Sequence, residues 1–99
     1  MEYAIFKAAR AELEAILQTR KAAWDSVEER LIAETGLARP WPMNLTPDAI
    51  KMHPDYRAAK AAWNEAWDVS RKLNGKFAGR FKKEIRADLA ALRQSRLEK

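Results

Sequence analysis

Residues 3–34 read YAIFKAARAELEAILQTRKAAWDSVEERLIAE and contain neither proline nor glycine. Apolar or small residues recur at Phe6, Ala9, Leu13, Ile16, Leu17, Trp24, Val27 and Leu31, in steps of three and four that gather them on one side of an α-helix. The stretch predicts one long amphipathic helix, roughly 45–50 Å from end to end at 1.5 Å per residue. Arg20 sits on the same stripe where an apolar residue would complete it, so its guanidinium is expected to reach water or a carboxylate. Gly36 follows where a left-handed residue ends a helix. No shorter neighbour covers such a helix alone. Either it bends near Arg20, or other helices cover it in tandem, or Tyr3, Ile5 and Phe6 overhang and pair with a second copy as a homodimer through the N-terminal helix.

Outward from this helix, Pro40, Pro42, Pro47 and Pro54 are the four prolines of the chain, and they make 36–46 an extended, partly polyproline loop. Thr46-Pro47-Asp48 offers a cap, a first-turn proline and a first-turn acid, which starts a short helix over 47–52. His53-Pro54-Asp55 repeats the device and starts a helix over 54–73, with Tyr56, Ala59, Trp63, Ala66, Trp67, Ser70 and Leu73 on its stripe. Asn74-Gly75 reads as its stop, and a last helix over 76–97 is expected to bury Phe77, Phe81, Ile85, Leu89 and Leu92. The expected fold is therefore all-α: a small helical bundle of three main helices plus one short helix, with a proline-bearing crossover, as a single domain over 1–99. A faint echo links Lys21-Ala22-Ala23-Trp24 to Lys60-Ala61-Ala62-Trp63, and Gly36 to Gly75, at the same offset.

With 99 residues, 47% of them hydrophobic and three glycines, the chain has the composition of one ordered helical domain. It has no cysteine, which excludes disulfides and thiolate chemistry and fits a cytoplasmic setting. The apolar runs are too short to span a membrane, and Met1-Glu2-Tyr3 opens no basic, hydrophobic leader, so export is not expected.

Charge divides the chain. Residues 1–50 carry six Lys/Arg against eight Asp/Glu, whereas residues 51–99 carry thirteen against six. Seven cations and one acid fall between Arg71 and Arg86. Lys72, Lys76, Arg80, Lys82, Lys83 and Arg86 are the candidate binding residues, set to contact phosphates without much base specificity, while Phe77 and Phe81 turn inward. A solvated face that only keeps the domain soluble is the competing reading, and an in-plane membrane helix a lesser one.

Other sites are weaker. Trp41, between Pro40 and Pro42 with Arg39 beside it, is either a stiff anchor for a partner or a lid folded over the helices. The run Leu31 to Arg39 superficially resembles a helix-turn-helix corner, but Pro40 and Pro42 would break its recognition helix. Ser26, Ser70 and Ser95 have no histidine at a catalytic spacing, and His53 with Asp48 and Asp55 is better explained by helix caps than by a metal. Neither enzyme activity, a cofactor nor a metal is expected. The function expected is a small non-enzymatic regulatory protein that docks its basic C-terminal helix on nucleic acid or a nucleoprotein complex. The alternative is an adaptor or inhibitor, of the kind phages and plasmids encode, acting on an acidic protein surface.

Overall fold

The computed structural model describes residues 2–97. Helix α1 spans Tyr3–Thr35, a 3-10 turn follows at Pro42–Asn44, and then come α2 (Asp48–Lys51), α3 (Pro54–Phe77) and α4 (Lys82–Leu97). The bundle is all-α, without a strand among the described residues. The molecule is 49 Å long, close to the roughly 50 Å of a straight 33-residue helix, so α1 runs its full length. It ends where expected: Gly36 adopts φ 72° and donates its N–H to Ile32 O at 2.8 Å.

The long helix is covered in tandem. Trp24 meets Tyr56 and Trp63, Arg20 meets Ala62, and Phe6 meets Phe77. Descending positions on α1 thus pair with ascending positions on α3, and the two form an antiparallel hairpin. Two apolar clusters hold its ends. At one, Leu31, Ile50 and Tyr56 are buried, with Trp24, Val27, Ile32 and Trp41 packed against them. At the other, Phe6 is fully buried, with Phe81, Phe77 and Tyr3 at centroid distances of 5.2, 6.1 and 6.4 Å. Between them the helices approach over small residues, Ala66 being buried, and Arg20 Nη1 donates to the carbonyl of Ala62 at 2.6 Å. The guanidinium meets a carboxylate as expected, Glu65 at 3.9 Å, and is held in addition by the α3 backbone.

The start of α2, the end of α3 and the start of α4 differ from those expected, while α3 begins at Pro54 behind His53 as expected. Pro47 is extended (ψ 146°) and serves as the cap, so α2 begins at Asp48; the Pro47 carbonyl accepts from both Ile50 and Lys51. His53 caps α3, its Nδ1 accepting from the Asp55 N–H at 3.1 Å. The larger correction is at Asn74-Gly75. Helix α3 does not stop there but continues to Phe77, and the break falls at 78–81. Burial explains this: Leu73 and Phe77 are one helical turn apart, and continuing the helix brings Phe77 onto Phe6. That contact offsets the cost of a glycine in a helix, about 1 kcal/mol.

The break is an elbow that retains helical hydrogen bonds from Phe81 N–H to Phe77 O (3.2 Å) and from Ile85 N–H to Phe81 O (2.9 Å). Beyond it α4 returns in the same sense as α1, fixed by Tyr3 Oη and Lys7 Nζ on Asp88 at 2.5 and 2.9 Å. Its backbone packs closely on no other helix. Leu89 and Leu92, expected in the core, are 50% and 49% exposed because α4 splays away from α1 beyond Asp88.

Candidate functional site

The six cations singled out from sequence do not share one helix. Lys72 and Lys76 close α3, Arg80 occupies the elbow, and Lys82, Lys83 and Arg86 open α4. All six side chains are exposed. The elbow is anchored from beneath: Phe81 is buried and Phe77 half-buried, both on Phe6, which gives the aromatics the inward role expected of them. Two of the cations rest on these rings. Lys76 Nζ lies 5.3 Å from the centroid of Phe77, and Arg80 Cζ 5.6 Å from that of Phe81. Such cation–π contacts hold the charges at the surface without neutralising them.

Pairing separates the two halves of the molecule more sharply than charge does. In the first half Lys7 is paired with Asp88, Arg20 with Glu65, Lys21 with Asp25, and Arg30 with Glu34 and Asp55. Arg39 is held by Glu28 and Glu29, and its already high pKa is raised further, first by the hydrogen bond to Glu28. Only Arg10 in that half lacks a carboxylate within 4.0 Å, among the described residues. Of the twelve described cations between Lys51 and Arg96, Arg71 alone has one, Asp68 at 3.4 Å. Of the acids of the first half, Asp25, Glu28, Glu29 and Glu34 are engaged in this way, and the cations of the second half face solvent.

Sequence reasoning missed one part of this surface. Lys51, Arg57 and Lys60 line a shallow cleft beside Tyr56, between α2 and α3. The signal was present in Arg57 and Lys60, three apart on a helix whose apolar stripe lies elsewhere, but Lys51 joins them only through the α2–α3 corner.

Trp41 is folded back. Its ring packs on the Leu31–Ile50–Tyr56 cluster, its Nε1–H donates to Leu37 O at 2.9 Å, and Arg39 lies over it at 5.2 Å. Of the two roles weighed for Trp41 and Arg39, the lid is what this geometry describes, and Arg39 is already bound within the chain. The apolar side chains that protrude furthest from this loop are Met43 and Leu45, 88% and 64% exposed. No group of three potential metal ligands is assembled among the described residues, and no helix there is long and apolar enough to cross a membrane. Compared with protein-family models, with curated protein sequences and with solved structures, the chain matches none.

Proposed function

We propose that the chain is a non-enzymatic, cytoplasmic binding module that lays its basic elbow on the phosphate backbone of a nucleic acid, alone or within a nucleoprotein complex. One observation carries this reading: Lys72, Lys76, Arg80, Lys82, Lys83 and Arg86 are exposed and have no carboxylate within 4.0 Å among the described residues, while the cations of the first half other than Arg10 are spent on internal pairs. Cations free of protein partners can replace the condensed counterions of a phosphate chain, and released counterions drive association. Lysines and arginines on helix surfaces, with the nearest aromatics buried beneath them, suit contact with the backbone rather than stacking on bases.

The test is a binding titration with duplex and single-stranded oligonucleotides at low salt. Replacing Lys76, Arg80, Lys83 and Arg86 together by Ala is expected to weaken binding strongly and to flatten its dependence on salt, whereas Lys21→Ala, at an internally paired cation, leaves it nearly unchanged. No binding by the unaltered chain at low salt overturns the reading. Stoichiometric capture of one acidic protein that survives nuclease treatment and depends on the same four cations would transfer the surface to an adaptor role.

A further inference from the structure

Helices α1 and α4 are joined at one end and parted at the other. Phe81 on Phe6 and the hydrogen bonds of Asp88 close the joined end. Beyond it a groove of about 480 Å³ opens, walled by Ile85, Leu89 and Leu92 on α4 and by Phe6, Ala11 and Glu14 on α1. Helix α4 has no buried residue, although Phe81, Ile85, Leu89 and Leu92 form a continuous apolar stripe along the elbow and the helix. A 16-residue helix left without an apolar cover is marginally stable in water, so the groove is an incomplete packing arrangement.

The surface of the chain measures how incomplete. The chain exposes 7647 Å². A compact monomer of 11.4 kDa exposes about 5,800 Å², so the excess is about 1,900 Å². The radius of gyration, 18.4 Å, compares with about 13 Å for a compact chain of this length. That excess is spread over the elongated chain, with Ile16, Trp67 and Val69 exposed outside the groove; an interface covering about half of it on each of two chains would bury about 1,900 Å² in total, the size of a stable specific interface.

We propose that the groove is filled by a second copy of this chain, α4 of each protomer seated in the α1–α4 groove of the other about a two-fold axis. The free charges allow a self-complementary pair. On the α1 wall Lys7 is engaged by Asp88 and Arg10 rests on the Phe6 ring at 5.6 Å, whereas Glu14 has no cation within 4.0 Å; Arg93, one turn beyond Leu89 on α4, has no carboxylate within that distance, among the described residues. An isologous arrangement brings each Glu14 to the other chain's Arg93 while Leu89 and Leu92 enter the apolar groove, and it leaves Arg86 to the basic elbow.

Sedimentation equilibrium of the full chain over a hundredfold range of concentration tests this, with a dimer at twice 11.4 kDa expected. Leu92→Glu places a charge in the interface and is expected to weaken association by about a hundredfold or more, while circular dichroism keeps the helix content. Glu14→Arg and Arg93→Glu are each expected to weaken it by several-fold, and the two together to restore it. If Leu92→Glu loses its helix, this charge exchange decides alone. A mass of 11.4 kDa at every concentration overturns the proposal and leaves the groove to a helix of another protein. A dimer indifferent to the exchange but broken by Ile16→Glu, on a different side of α1, overturns it as well.

Discussion

Gly36 and Gly75 look alike in sequence, each following a helical stripe twelve residues after a tryptophan, and they do opposite things. Gly36 is left-handed at φ 72°, where a Cβ is strained; Gly75 is inside α3 with open space around it. Gly75→Ala is therefore expected to stabilise the protein by about 0.5–1 kcal/mol, and Gly36→Ala to destabilise it by about 1 kcal/mol or more, as read from urea midpoints. A destabilised Gly75→Ala would mean that α3 stops at Asn74. Phe6 is the residue on which α1, α3 and the elbow all converge, and it is fully buried. Phe6→Ala is expected to cost about 3–5 kcal/mol, a large share of the stability of a small domain. Asp88 is held below the ordinary carboxylate range, first by the hydrogen bond from Tyr3 and then by that from Lys7; Tyr3 and Lys7 are both raised, first by their hydrogen bonds to Asp88. The depressed carboxylate stabilises the fold above its unfolded value of about 3.9 and ceases to do so as pH falls through its folded value. The raised phenol and ammonium contribute below their unfolded values, near 10, and that contribution is lost as pH rises through their folded values. The α1–α4 clamp is thus expected to hold between these limits and to release outside them. Asp88→Ala should return the Tyr3 titration, followed by NMR of its ring, toward about 10, and an unmoved titration would contradict the clamp.

At the scale of elements, α1, α2 and the start of α3 were legible because their signals are local. A Pro- and Gly-free amphipathic run, a left-handed glycine, and proline after a capping residue each act within a few residues. The end of α3 was not legible, because whether Asn74-Gly75 stops the helix depends on what Phe77 touches, and Phe6 lies far away in sequence. The same non-local cause moved Lys76 from the start of the last helix to the end of α3 and Arg80 into an elbow. Their identity as exposed cations was legible; that the first half would consume its cations internally was not, since pairs such as Arg30–Asp55 and Lys7–Asp88 join separate elements. The echo between the two Lys-Ala-Ala-Trp segments marks where α1 and α3 face one another, with Trp24 and Trp63 at 5.7 Å, but it does not extend to the glycines. The α1–α3 contact is close at Ala66, which is buried. Ala66→Leu is expected to push the helices apart and to cost about 1–3 kcal/mol in thermal or urea unfolding.

At the scale of the whole molecule, a net charge of +5 understates the field. Internal pairing in the first half leaves unpaired cations concentrated on the end of α3, the elbow and α4, where an anionic polymer would be steered. The dependence of binding on salt tests this most directly, because it counts the phosphates neutralised rather than detecting attraction alone. For six contacts on duplex DNA, log K is expected to fall against log salt with a slope of about −5, and the quadruple substitution at Lys76, Arg80, Lys83 and Arg86 to flatten it by about 3 to 4. A slope near zero for the unaltered chain, or one that the four substitutions leave unchanged, would contradict the assignment of this surface to phosphate binding.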